Sequence, residues 1–344
     1  MTTSEHNLLP VKSSVKTLHG LTPDDMPNQV LGSVEPLILK GIVDSWPAVR
    51  ASKAGKADAL AYLLDFSHKK EVVVFKGDPE IKGRFFYNED LSGFNFGRAN
   101  TTFEFMLERF AGLTGAESDP SYYIGSTSVD LSLPGFRKNN DLPLAALKPL
   151  VSIWMGNQTR IAAHYDNPDN IACVVAGRRR FTLFPPDQVS NLYVGPIDFT
   201  PAGQAISLVD FSQPDFERFP LFAKALEKAQ VAELEPGDAL FIPSLWWHHV
   251  EALDTFNVLV NYWWAAVPAL AGSPMDVLIH ALLNIKALPA EQKKNWRSIF
   301  DHYIFDQPED AFTHIPRASL GVLADLDDAT AKQLRAMLFA KLKK

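Results

Sequence analysis

His164-Tyr165-Asp166 and the distant His248 are the residues of this chain best suited to carry chemistry. Two imidazoles and one carboxylate make up the facial donor set that holds non-haem Fe(II) and leaves coordination positions open. His164 and Asp166 stand at i and i+2, so on a strand both side chains leave the same face. They close an apolar run, and Asn167-Pro168-Asp169-Asn170 behind them is dense in turn formers. His248 lies in a second group of strand-like segments, and a rolled sheet would bring it to the same metal. In a chain with nine histidines a lone His-x-Asp carries little by itself. The elements around it decide.

Those elements crowd together from Tyr122 onward. Strands are expected at Tyr122–Gly125, Leu150–Met155, Thr159–His164, Ile171–Ala176 and Arg179–Phe184. A second group follows at Val231–Glu235, Ala239–Ile242, His248–Ala252 and Asn257–Trp264. Short strands with tight links such as Pro236-Gly237-Asp238 argue for a mainly β sandwich or barrel. The long interruption 185–230 reads as a functional insertion at the rim of the site. Upstream, Leu37–Gly41 and Glu71–Phe75 read as strands, and Ala57–Phe66 and Thr101–Phe110 as helices. Downstream, Met275–Ala287, Pro289–Phe300 and Ala329–Leu342 have helical periodicity. These divide the chain into an N-terminal α/β flank (1–120), the β core with its insertion (121–268) and a helical region (269–344). The helical tail either packs on the barrel or forms a homodimer interface.

Alternation sorts the residues near the site. In Gly177 to Leu183, Arg179, Phe181 and Leu183 share one face, while Arg178, Arg180 and Thr182 share a solvent face. Arg179 therefore points into the core, where a lone guanidinium is costly without an anion. A bound carboxylate would supply one bidentately. Trp246, His248 and Val250 likewise share the inner face, leaving His249 and Glu251 outside. That makes His248 the ligand and His249 a bystander or a supporting group. Asn261 interrupts an apolar strand, either as an amide pinning that strand or as a ligand contact.

The net charge of −7 gives no footprint for duplex nucleic acid and argues against nucleic acid as a partner. The single cysteine, Cys173, reads as a small buried hydrophobe. The first residues show no signal-peptide pattern, and no run is long and apolar enough to span a membrane, so a cytoplasmic location is expected.

Taken together, these residues resemble the cupin-like branch of the Jumonji C (JmjC) Fe(II)/2-oxoglutarate oxygenases, nearest to the asparaginyl hydroxylase acting on hypoxia-inducible factor. The likeness rests on Ala163-His164-Tyr165-Asp166, the stretch Leu183 to Gln188, the stretch Pro214 to Pro220, Pro236-Gly237-Asp238, Ile242-Pro243, Trp246 to His249 and Val260 to Trp263. It covers about Tyr122 to Trp264. The resemblance implies a double-stranded β-helix (cupin or jelly-roll) with flanking helices and a C-terminal helical appendage. It implies iron on His164, Asp166 and His248, with 2-oxoglutarate and O2 as cosubstrates. The family lysine for the distal carboxylate falls on Arg179, a change of geometry but not of charge. The tyrosine sharing that carboxylate falls on Tyr123 or Tyr122. Asn170, Asn261 and Trp263 match residues around the metal-proximal end. Two departures stand out. A family threonine is Ile161 here, and the polar pair that holds the target amide falls near Ala205 and Ile206, so asparagine hydroxylation does not carry over.

The activity this implies is oxidative decarboxylation of 2-oxoglutarate coupled to hydroxylation of a protein or peptide side chain. The intact Asp166 favours hydroxylation, because related halogenases carry a small residue there. The alternatives are the same chemistry on a small molecule or RNA, and a non-catalytic metal-binding cupin.

Overall fold

Apolar alternation and tight turns fold residues 150–264 into eight strands that close around one interior. A computed structural model describes residues 9–67, 69–265, 270–306, 308 and 311–342. The N-terminal residues read for a signal peptide lie outside this range, as does the boundary expected at 268–269. Seven strands precede the barrel: β1 (Ser13–Ser14), β2 (Lys16–Leu18), β3 (Leu37–Leu39), β4 (Glu71–Gly77), β5 (Arg84–Phe85), β6 (Gly97–Thr102) and β7 (Ser121–Ser128). The barrel begins with β8 (Leu150–Gly156), β9 (Arg160–His164), β10 (Asp169–Ala176) and β11 (Arg179–Phe184). It continues with β12 (Gln230–Leu234), β13 (Ala239–Ile242), β14 (Trp247–Ala252) and β15 (Asn257–Trp264).

One sheet runs β1-β12-β11-β14-β9-β5 and the other β2-β3-β13-β10-β15-β8-β7-β4-β6. From β8 on, the chain crosses between the sheets at nearly every step, as a double-stranded β-helix does. The expected mainly β core with flanking helices is thus observed. Inward side chains Ala172, Val174, Phe181, Leu183, Leu240, Trp246, Val250 and Leu259 pack together between the sheets. The opposite face of the larger sheet, including Ile171, Cys173, Val258 and Tyr262, is covered by helices Pro47–Ala54, Lys56–Leu64 and Phe103–Gly112. Cys173 is fully buried there, as its apolar surroundings suggested.

Residues 13–18 stitch the two sheets together. Ser13 and Ser14 pair in parallel with Gln230 and Val231, and Lys16–Leu18 pair in parallel with Leu37–Leu39. Val15 between them is buried in the barrel interior.

The structure corrects several expectations. Thr101 lies within β6 rather than opening a helix, and Thr102, the last residue of that strand, is the N-cap, its hydroxyl accepting from the Phe105 amide. Helix Pro47–Ala54 was not anticipated. Thr182 and His249 do not face solvent, being 2% and 6% exposed. His249 lies under the insertion, its ring stacked on Phe211 at 4.5 Å. The insertion packs Leu192, Val209, Phe211, Phe219 and Phe222 against Ala163, Phe184 and Trp247. It also runs beside β9, where the Ser207 amide donates to the Ala163 carbonyl.

The β10–β11 turn depends on Gly177, whose φ is +70°. A Cβ there would lie 2.2 Å from Asn257 Oδ1 and 2.6 Å from the Phe256 carbonyl oxygen. Gly177→Ala should cost at least about 1–2 kcal/mol from the left-handed backbone alone. A lowered urea midpoint at unchanged slope is the expected readout; an unchanged midpoint would refute the constraint.

Two compact units divide at Ala265 and Ala266. The second contains helices Pro274–Asn284, Ala290–Phe300 and Asp328–Leu342, close to the three expected. Among the described residues no helix is long and apolar enough to cross a membrane.

Candidate metal centre

His164 ends β9 and His248 is the second residue of β14, and the two are direct partners in the antiparallel pair. That register brings their rings to 4.4 Å between centroids. Asp166 sits in the turn after β9 and places Oδ2 3.6 Å from His248 Nε2. One donor atom from each of the three lies within 4.8 Å of the others. Among the described residues this is the one cluster of at least three such side chains able to hold a metal. His164 and Asp166 are partly exposed and His248 is buried, so the cluster lies at an open end of the barrel.

The orientation of both imidazoles is fixed the same way. His164 Nδ1 lies 2.9 Å from the Ala162 carbonyl oxygen and His248 Nδ1 lies 3.0 Å from that of Trp246. A carbonyl can only accept, so each Nδ1 carries a proton and each Nε2 is the ring atom left to face a metal. Such backbone anchoring sets the tautomer a metal needs. Burial, and then the proximity of His164, pushes the His248 imidazole down to about 4, with Asp166 opposing. It is therefore neutral near pH 7, as a ligand must be.

Deeper in the barrel lies a second polar group. Arg179 pairs with Ala252 at the end of β11 remote from Leu183, the partner of His248. Its guanidinium points inward as alternation requires and is only 3% exposed. Nε and Nη2 are buried without a hydrogen-bond partner. Burial pulls its pKa down to about 10, with Tyr123 opposing. Tyr123 faces the same interior, its ring 6.0 Å from Trp154, and burial holds its phenol well above the ordinary value. Tyr122 turns the other way, toward Phe110, so only Tyr123 is placed beside Arg179.

Asn170 and Asn261 meet across β10 and β15, Asn261 Nδ2 donating to Asn170 Oδ1 at 2.9 Å. Asn261 is thus part of a buried pair, yet its Oδ1 stays unpartnered. Trp263 and Trp154 touch edge to face at 5.5 Å between centroids, and both indole nitrogens lack partners. Trp154 was not singled out in the sequence, although alternation along β8 places it on the inner face. Ile161 occupies the interior apolar cluster, and Ala205 and Ile206 are buried, so the polar groups missing from the sequence are not replaced there.

The residues fit a divalent metal and an anionic ligand. Two imidazole nitrogens and a carboxylate are a donor set for iron. A buried cation with two unused donors is the counterpart of a carboxylate.

The barrel and this donor cluster define a cupin-type protein. A family model described as "Cupin-like domain" matches residues 23–269, and the chain belongs to that family, of JmjC type. Among its relatives is tRNA wybutosine-synthesizing protein 5 of Gallus gallus, 26% identical over 312 residues, 81% of this chain and 90% of that protein. Lysine-specific demethylase JMJ31 of Arabidopsis thaliana is 37% identical over 117 residues, 33% of this chain and 20% of that protein. HSPB1-associated protein 1 of Homo sapiens is 36% identical over 114 residues, 33% of this chain and 23% of that protein. These relatives support the expected family but not the particular likeness to the asparaginyl hydroxylase.

Proposed function

We propose that this protein is an Fe(II)- and 2-oxoglutarate-dependent dioxygenase that hydroxylates a protein or peptide side chain. His164, Asp166 and His248 would hold the metal. Arg179, Tyr123, Asn170, Asn261 and Trp263 would surround 2-oxoglutarate. The observation that carries this reading is a three-donor cluster at the mouth of a barrel whose floor holds a buried, unpartnered guanidinium. About 13 Å of strand separates Leu183 from Arg179, a span that an arginine side chain and a short diacid can cover together.

Iron, when bound, supplies the coupling of O2 reduction to decarboxylation of 2-oxoglutarate and to oxidation of the substrate. The chain supplies the rest. Arg179 takes the distal carboxylate, and the Tyr123 hydroxyl, kept protonated by burial, can donate to it. The buried Asn170–Asn261 pair offers amide groups nearer the mouth. Apolar side chains lining the interior keep water away from the reacting groups.

RNA is the second substrate class, because the relative matched over most of both chains is named for tRNA wybutosine synthesis. The test begins with anaerobic addition of Fe(II) and 2-oxoglutarate, watching for the visible charge-transfer band of the chelate. A band absent in His164→Ala supports the reading; no band in folded, metal-loaded protein refutes it. Succinate yield stimulated by peptides or by tRNA then separates the two substrate classes.

We also infer that the helices Pro274–Asn284 and Ala290–Phe300 and the turn after them pair with a second copy of the chain. Helices Pro274–Asn284 and Ala290–Phe300 bury no residue, while Leu283 and Phe305 are each 71% exposed. An apolar surface of this kind needs a cover. Light scattering should report a dimer that Leu283→Glu with Phe305→Glu converts to monomer; a monomeric wild type would refute it.

A further inference from the structure

The four residues Pro243-Ser244-Leu245-Trp246 link β13 to β14 and touch the ligand-bearing turn at three points. The Leu245 amide donates to the Asp166 carbonyl at 2.9 Å. The Ser244 hydroxyl donates to the Asn167 carbonyl at 2.5 Å, and its amide donates to Asp169 Oδ1 at 2.9 Å. The same turn reaches the other ligand, because the Trp246 carbonyl accepts from His248 Nδ1. Trp246 is itself anchored, its indole donating to the Val34 carbonyl while its ring is buried in the barrel interior.

The backbone geometry of this turn is unusual for its sequence. The Trp246 amide bonds the Pro243 carbonyl, closing a β-turn with Leu245 at its third position. Leu245 has φ +66°, a position in which such a turn favours glycine. It is also 44% exposed, so burial of the leucine side chain offsets little of the backbone strain. A strained residue that persists beside a polar cluster points to a positional demand. Here the left-handed backbone aims the Leu245 amide at Asp166.

The geometry points to a positioning role for this turn: Ser244 and Leu245 hold the Asp166 turn while Trp246 holds His248, so one linker sets two of the three metal donors. This rests on the reading that His164, Asp166 and His248 bind a metal. Asp169, which receives the Ser244 amide, belongs to the same latch without being a ligand.

The test uses Co(II) as the probe, following affinity and the ligand-field spectrum in the full chain. Ser244→Ala and Asp169→Ala each remove one side-chain partner and should weaken Co(II) binding about tenfold, with an altered spectrum. Leu245→Gly keeps all the backbone bonds and relieves the strain. It should bind Co(II) like wild type, with equal or higher thermal stability. The proposal is overturned if Ser244→Ala and Asp169→Ala match wild type in affinity and spectrum, or if their weaker binding comes with an unchanged spectrum. A wild type that binds no Co(II), or binds it equally after His164→Ala, would instead refute the metal reading itself.

Discussion

Replacing His164 or Asp166 by alanine is expected to remove saturable Fe(II) binding and all 2-oxoglutarate turnover, while His249→Phe retains both. Loss of a direct ligand should exceed the tenfold to hundredfold cost typical of an outer partner. The two adjacent histidines differ in everything that matters for coordination. His248 aims a lone pair at the cluster and is oriented by the Trp246 carbonyl. His249 lies on the opposite face, stacked on Phe211, with a buried Nδ1 that has no partner. Phenylalanine preserves the stack and removes the orphaned nitrogen, so stability should hold or rise. Alanine would instead leave a cavity under the insertion and confuse packing with chemistry. Isothermal titration with Fe(II) under anaerobic conditions reads the outcome. Equal loss in His249→Phe would show that the ligand is the wrong histidine.

Arg179→Met is expected to stabilise the ligand-free protein and to weaken 2-oxoglutarate binding by at least about a hundredfold, as loss of a buried charged partner costs several kcal/mol. The guanidinium is buried with two donors unused, so the empty barrel bears a desolvation penalty that methionine avoids. Apolar replacement of buried ionic groups has gained about 1–4 kcal/mol elsewhere. Binding reverses the comparison. With Mn(II) present and 2-oxoglutarate at a hundred times its dissociation constant, wild type should gain about 2.7 kcal/mol. The variant should gain almost nothing. Two melting curves per protein, with and without 2-oxoglutarate, are enough. A variant that melts lower when empty and keeps its ligand shift would disprove the assignment.

The barrel was legible because each strand had to bury one face. Three strands, Arg179–Phe184, Ala239–Ile242 and Asn257–Trp264, have the limits expected from the sequence. The inward setting of Arg179 and the separation of His248 from His249 follow from the same period of two. What alternation leaves open is the cover over a face. Thr182 and His249 lie on the outer side as expected, yet both are buried, His249 beneath Phe211 of the insertion. β6 was missed because Gly97-Arg98-Ala99-Asn100 has no apolar period and lies largely exposed at a sheet edge. The turn at Leu245 was not legible either. Nothing about a leucine announces a left-handed backbone, and only the geometry exposes it.

The stitch at residues 13–18 also bears on how the chain emerges from the ribosome. Ser13 and Ser14 find their partners on β12, which is translated only after β8 to β11 and the insertion. Until then these early residues have no native strand to join, and an unsatisfied strand edge invites association with other chains. The composition suits the wait: Ser13-Ser14-Val15-Lys16-Thr17 holds one aliphatic residue among hydroxyls and a charge. The β1–β12 pairing thus joins two strands separated by more than 200 residues of chain, and the earlier one must wait for the later.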